Sequence, residues 1–563
     1  MFKRTGKTIV KGLGFGIVTK IKPLTYNKKR YLTDDSMIRN EISLANHIYR
    51  KAINEIKNEI NENKNLYSKE VLEIIEGHII LIKDGEITDE INKIIQTEKI
   101  DFTSSVLKTQ NKFMQIFESM KDPYMQARSA DIKDICQRLI KIKQKHQETE
   151  LKGIILAKEI TPSDILNIEP QKVQGILSEQ NTENCHAAIL ARTLNIPFIT
   201  HLDNIYQKVN DYDLILMDAS KASIIVNPDE KTHESFLKEY NKYIEKQNKL
   251  KSYIGQPAIL KDGSEIDISV NIGNEKDVEV ANKLLLDSIG LFRSEYLYMN
   301  LNDFPDENYL YKKYQSMTKD FSGEIIIRTL DIGGDKSIDY FKIPKEDNPY
   351  LGYRAIRYCL EHKDVLKTQL KAILRLTTDK DIKIMVPMIS SYDEVIEFKK
   401  IFNETKIELS NNHTKFNEAT KIGIMIETPA SVLISDILAE ELDFFSIGTN
   451  DLLQYTMAAD RNNVLTENNY SPYALSFLRI IELAVNNAKK HNIPVSVCGE
   501  FASKTYNIPL LIALGIEKIS VHPGAVLELK AYLSNITRDD CDRIYENIKN
   551  IKSEKELKNK ISG

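Results

Sequence analysis

From about Ser252 to near its end, the chain alternates eight times between a short apolar run and a helix-patterned stretch. The runs are EIDISVNIG, SIGLFRSE, IIIRTLDIGG, IKIMVPMI, IGIMIETP, FFSIGTND, PVSVCGE and KISVHP. Each is almost continuously apolar, as parallel strands covered on both faces must be. Eight such units predict a closed (β/α)8 TIM barrel, whose typical size is roughly 250 residues. In that fold the C-terminal ends of the strands converge on one mouth, where the active site lies. The closing KNIKSEKELKNK reads as a solvated helical tail.

At 563 residues, the chain has room for further domains. Residues 1–25 read as one or two short strands around a glycine-rich turn, GLGFG. From about Ser36 to Lys145 the apolar residues fall at helical spacing, predicting a bundle of antiparallel helices. Near Lys152 the pattern changes to the strand-like runs GIILAKEI, VQGILS, PFITH, LILMDA and SIIVNP. The fold class is therefore multidomain α/β. An α/β domain comprises 1–30 and 146–228, and a helical insert comprises 31–145. A charged helical linker, 229–253, leads to the barrel at 254–563. On charge pattern alone, that linker reads as a solvated helix without a packing partner.

Lys and Arg number 77 against 81 Asp and Glu, a formal net charge of −4. Without a basic excess, neither nucleic acid nor a membrane surface is an expected partner. The five cysteines, Cys136, Cys185, Cys359, Cys498 and Cys541, are scattered and form no CxxC pair. A disulfide framework or structural zinc site is not expected, and a reducing compartment fits. The basic start lacks a signal-peptide cleavage pattern, and no apolar run approaches the ~18 residues needed to span a bilayer. The expected location is cytoplasmic.

The strand ends of the barrel region carry Arg293, Arg328, Glu427, Asn450 with Asp451, and Cys498. Any one of these residues could simply seal a barrel rim, but their chemical mixture asks for more. Glu427 and Asp451 are hard oxygen ligands suited to Mg²⁺, with water and substrate phosphate completing the octahedron. Arg293, Arg328 and the nearby Arg461 offer planar forks to phosphate and carboxylate oxygens. Lys336 in DIGGDK adds a cation and Asn450 a neutral hydrogen-bonding group, so the ligand should be strongly anionic. Cys498 reads either as a small buried hydrophobe or as a proton donor beside the site.

In the other half, CHAAILAR places His186 at the start of an amphipathic helix. A helix N-terminus presents free N–H groups and partial positive charge to a phosphate. A neutral imidazole is abundant near pH 7 and can act as a nucleophile. A lone histidine is more often an ordinary capping or packing residue, and position alone does not decide between the two.

Together the strings EGHIILIKD, RSADIKDICQRL, CHAAILAR, LFRSEYLYM, RTLDIGGDK, NPYLGYRAIR, IMIETPAS, FFSIGTNDLLQYTMAADR and VCGE carry a resemblance running nearly end to end. The chain resembles the enzyme I family of the bacterial phosphoenolpyruvate:sugar phosphotransferase system, the phosphoenolpyruvate–protein phosphotransferases. The resemblance implies a swivelling phosphohistidine α/β domain whose His186 accepts the phosphoryl group on Nε2. It implies that Arg293, Arg328, Asn450, Asp451, Arg461, Lys336 and Arg354 hold phosphoenolpyruvate, that Glu427 and Asp451 bind Mg²⁺, and that Cys498 protonates the enolpyruvate leaving group. It further implies that the helical insert docks the phosphocarrier protein HPr, that the barrel forms a homodimer, and that the linker is a hinge.

One departure bears on the histidine loop. Asn181 and Thr182 stand where the family usually has a Gly-Gly pair, and Cys185 stands where Ser is common. Glycine admits positive φ, which threonine tolerates poorly, so a loop of different shape is expected. Pyruvate phosphate dikinase and phosphoenolpyruvate synthase share the histidine and barrel motifs but need a nucleotide-binding domain. Residues 26–150 read as helical and contain no glycine-rich phosphate loop. A non-catalytic relative that binds phosphoenolpyruvate without relaying phosphate stays open as the second reading.

Overall fold

Strands β1 (Phe2–Thr5), β2 (Lys7–Val10) and β3 (Leu13–Lys20) start a sheet that is completed only after residue 150. The computed structural model describes every residue except 25–28, 64–68, 119–122, 145–149, 183–184, 300, 335–337, 462, 464–465, 467–470 and 563. It divides into two compact units, Met1–Lys246 and Gln247–Gly563.

In the first unit the later strands are β4 (Gly153–Ala157), β5 (Val173–Ser178), β6 (Phe198–Thr200), β7 (Leu214–Asp218) and β8 (Ser223–Val226). The sheet order is β1-β8-β7-β3-β4-β5-β6-β2. The run β3-β4-β5-β6 is parallel and the flanking pairs are antiparallel. Between β3 and β4 stand five helices: α1 (Asp35–Asn63), α2 (Lys69–Lys83), α3 (Glu86–Glu98), α4 (Phe102–Glu118) and α5 (Pro123–Gln144). Their buried stripe, including Ile48, Ile56, Ile91, Phe102, Ile135 and Leu139, is continuous with Ile155, Ile176, Ala187 and Leu190 of the sheet region. Helices and sheet therefore share one apolar core, and each stabilises the other's buried face.

Two sequence expectations need correction here. GLGFG is not a turn: its last four residues lie inside β3. A side chain at Gly14 would collide with the Gln174 carbonyl, and one at Gly16 would meet Gly153 Cα at 3.2 Å. These glycines serve close backbone approach within a strand. The linker is helical, Glu230–Lys251, but its first half has a packing partner. Tyr240 meets the Phe15 ring edge-on at 4.9 Å and donates its hydroxyl to Gln174, with Phe236 packed alongside.

The second unit is a closed barrel of parallel strands. They are β9 (Asp267–Ile272), β10 (Ser288–Arg293), β11 (Glu324–Arg328), β12 (Ile382–Val386), β13 (Ile422–Ile426), β14 (Phe444–Ile447), β15 (Val495–Val497) and β16 (Lys518–Val521). β16 pairs back onto β9, so no edge is left. Alternate residues point into the barrel, where Leu291, Ile326, Met385, Met425, Phe444 and Cys498 form one buried cluster. Their neighbours Phe292, Ile325 and Ile327 face the surrounding helices.

The tail is not merely solvated. Within Lys549–Lys560, Ile551 and Leu557 are buried in the barrel's outer core while the lysines around them stay exposed. Two apolar side chains in a charged segment are enough to dock it. No helix of the described residues is long and apolar enough to cross a membrane.

Candidate active site

The barrel puts its charged residues at one rim because the strands are parallel, so their C-terminal ends all lie at the same end of the barrel. Arg293 ends β10 and pairs directly across to Arg328, which ends β11. Glu427 follows β13 by one residue and Cys498 follows β15 by one. Asn450 and Asp451 depart from the sequence reading: they lie in the first turn of the Thr449–Met457 helix, beyond the end of β14. Asn450 still serves the rim, accepting the Glu500 N–H at 3.0 Å from the loop after β15.

Two arginines share one carboxylate. Arg328, buried, lies 2.5 Å from Glu295 and 3.0 Å from Asp331. Arg354, also buried, lies 2.8 Å from Asp331 and 3.6 Å from Asp451, and donates to the Tyr455 hydroxyl at 3.2 Å. Burial opposes the charge on both guanidiniums, but the surrounding carboxylates prevail and hold both pKa values above the usual arginine range. Arg461 stands 3.7 Å from Asp451 with its guanidinium over the Tyr350 ring. Glu295 and Asp331 escaped the sequence reading. The signal was present: each follows a strand-ending arginine within three residues, in FRSE and RTLD.

Glu427 is almost wholly buried and accepts the Met388 N–H at 2.7 Å. Burial, then the nearby carboxylates of Asp451 and Asp331, push its pKa up to about 8 against the pull of Arg328 and Arg354. Asp451 has one buried carboxylate oxygen, Oδ1, with no hydrogen-bond partner. Two crowded carboxylates, one with an oxygen that two arginines approach at 3.6 and 3.7 Å without hydrogen-bonding it, fit a hard divalent cation that takes its other ligands from water and substrate. Among the described residues, no group of three or more His, Cys, Asp or Glu side chains is arranged to hold a metal alone.

Cys498 is buried with its thiol 3.7 Å from the Ile447 carbonyl. Burial raises its pKa to about 11, so the thiol keeps its proton near neutrality. Lys336 lies outside the described residues.

In the first unit, His186 is the first residue of the His186–Thr193 helix, after Cys185 at the N-cap. Its Nδ1 lies 2.7 Å from Asp131 of α5, a partner the sequence reading did not identify. The altered loop takes a form open to its residues, for neither Asn181 nor Thr182 adopts positive φ. Instead the Asn181 side chain pairs with both the N–H and the C=O of Ile160, at 2.9 Å each. Glycine could not form that clamp.

The chain matches three family models. They are described as PEP-utilising enzyme N-terminal (residues 5–128), mobile domain (150–222) and PEP-binding domain (247–538). It is 32% identical over 520 residues to the phosphoenolpyruvate-protein phosphotransferase of Bacillus subtilis (strain 168), covering 90% of this chain and 91% of that one. The enzyme of the same name from Buchnera aphidicola subsp. Acyrthosiphon pisum (strain APS) is 34% identical, with 98% of each chain covered. A solution NMR structure of an Enzyme I protein (nEIt) is 26% identical, with a TM-score of 0.37, covering 43% of this chain and 99% of that one.

Proposed function

The chain belongs to the phosphoenolpyruvate–protein phosphotransferases within the PEP-utilising enzymes, and on that premise we propose that it transfers the phosphoryl group of phosphoenolpyruvate to His186 and then to the phosphocarrier protein HPr. The observation that carries this reading is the convergence of Arg293, Arg328, Glu427 and Cys498 on one rim, with Asp451 in the adjoining helix and Arg461 in the turn beyond it.

Phosphoenolpyruvate lies with its anionic groups against Arg293, Arg328, Arg461 and Asn450, with Lys336 adding a cation. Arg354 and Asp451 complete the polar wall. Mg²⁺ held by Glu427 and Asp451 would neutralise phosphate charge when bound. Phosphoryl transfer depends mainly on alignment and on stabilising charge at the equatorial oxygens, which guanidinium forks do without rearranging. The lone pair of His186 Nε2 attacks phosphorus, and the bond to the enol oxygen breaks with its electron pair leaving on that oxygen. The enolate takes a proton at its methylene carbon from the Cys498 thiol, giving pyruvate, and water restores the thiol proton.

Residues 1–30 and 146–228 form the swivelling phosphohistidine domain, 31–145 dock HPr, 229–253 link, and 254–563 bind phosphoenolpyruvate and dimerise. The setting is the cytoplasm. Incubation with Mg²⁺ and ³²P-labelled phosphoenolpyruvate tests the reading. Acid-labile, base-stable label that is lost in His186→Ala supports it, and substrate binding without label supports the non-catalytic reading.

A further inference from the structure

The barrel rim explains how substrate is held but leaves a buried polar chain behind His186 without a role. Asp131 Oδ1 is 2.7 Å from His186 Nδ1. The same oxygen is 3.7 Å from Nε2 of His78, a buried residue of α2, whose Nδ1 lies 3.8 Å from Asp134. Asp134 accepts the Ser163 hydroxyl at 2.7 Å, and the Ser163 oxygen accepts from Arg138 at 2.7 Å. Two imidazoles thus flank one carboxylate, and a second carboxylate backs the outer imidazole.

We propose that Asp131, braced by His78, is the positioning residue of the phosphoryl acceptor, holding His186 in the tautomer that carries its proton on Nδ1 and leaves the Nε2 lone pair free. The inference rests on the reading that Nε2 of His186 receives the phosphoryl group.

An ionised carboxylate can only accept, so the imidazole nitrogen facing it must donate. Which ring nitrogen is protonated is set by the hydrogen bond it makes. Burial works against the charge on Asp131, but the two imidazoles override it and bring its pKa down to about 2. It is therefore an acceptor at any pH near neutrality. Once Nε2 bonds to phosphorus, the ring with Nδ1–H bears positive charge, and the same carboxylate at 2.7 Å stabilises it. The 3.7 Å separation of His78 is too long for a hydrogen bond. His78 acts instead as a neighbour that keeps the carboxylate in place. Asp131 and His78 stand on the inserted helices and His186 on the sheet side, so the contact also fixes the ring relative to the shared core.

Asp131→Asn in the full chain tests this, because it keeps the shape while letting the amide donate to Nδ1. Two-bond ¹H–¹⁵N correlation on ¹⁵N-histidine protein should show Nδ1–H at His186 in the parent and Nε2–H in the variant. Phosphohistidine formation at saturating phosphoenolpyruvate should fall by up to about 10⁴-fold, the loss a wrong tautomer causes elsewhere, with KM unchanged. Asp131→Glu should restore part of the rate. If Asp131→Asn fails to fold, Asp131→Ala is measured for the same tautomer shift and rate loss. Nε2–H in the parent, an unchanged tautomer in the variant, or parent rates in the variant would overturn the proposal. The tautomer measurement needs no phosphoenolpyruvate, so it stands or falls separately from the functional reading.

Discussion

Met388 donates its backbone N–H to Glu427 at 2.7 Å while its own φ is held at 61°. A non-glycine residue at positive φ costs on the order of 1–3 kcal/mol and persists only where the surroundings enforce it. The strain falls on a residue that orients a proposed metal ligand. Ala355, next to Arg354, is a second such point, with φ 52° and ψ −124°.

Glu427→Gln should keep the fold and the Met388 hydrogen bond but lose one of two anionic oxygen ligands. Isothermal titration in the presence of Mg²⁺ should show phosphoenolpyruvate affinity reduced by at least about tenfold, the lower end of losses from disturbed metal sites. Binding as tight as in the parent would remove Glu427 from the metal site.

Ala355→Gly should relax the strain beside Arg354. Since the Ala355 side chain is a single methyl, denaturant unfolding should show a gain of about 1 kcal/mol, strain relief outweighing glycine's entropy cost. The freer backbone should let Arg354 wander from Asp331, raising KM for phosphoenolpyruvate. A loss of stability would mean that the conformation is unstrained.

Cys498→Ala should retain phosphoenolpyruvate binding and lose about 10²–10⁴-fold in turnover, the usual contribution of a general acid. Because the thiol titrates at about 11, it stays protonated below that, and Cys498 should impose no alkaline fall in rate up to about pH 10. Unchanged turnover in the alanine variant would refute the donor role.

Asp131 has a folded pKa of about 2 against an ordinary 3.8. Its contribution to stability is therefore present above pH 3.8 and is lost as pH falls through about 2. A shift of this size corresponds to about 2 kcal/mol. Urea unfolding at stepped pH should show the stability gap between parent and Asp131→Asn closing over that window, and a constant gap would contradict an ionised Asp131 beside the imidazoles.

Leu557→Ala should cost about 2–4 kcal/mol, the usual result of emptying a fully buried leucine site. Lys555→Ala, two residues away and exposed, should be near neutral in the same thermal-unfolding assay.

The barrel is legible in the sequence because strands covered on both faces must be apolar at nearly every position, as in IKIMV and IGIMI. The strand-end arginines and Glu427 stand out for the same reason, as charges set against an apolar run. Asn450 and Asp451 belong to a helix's first turn, because a strand end and a helix start look alike when only a glycine separates them. GLGFG misleads since glycine composition cannot distinguish a turn from a strand pressed against neighbouring backbone. Asp131 is hidden for a different reason: 55 residues separate it from His186, and only the docking of α5 against the sheet region brings them together. Ile551 and Leu557 fail to register because two apolar side chains among lysines make no periodic stripe.

Everything proposed for the site turns on one imidazole nitrogen taking phosphorus from phosphoenolpyruvate. A single turnover with Mg²⁺ and stoichiometric phosphoenolpyruvate, followed by ³¹P NMR on ¹⁵N-histidine protein and assay of released pyruvate, addresses it directly. One pyruvate per chain and a phosphorus resonance coupled to Nε2 of His186 are expected. Pyruvate without that coupling, or coupling to Nδ1, would contradict it.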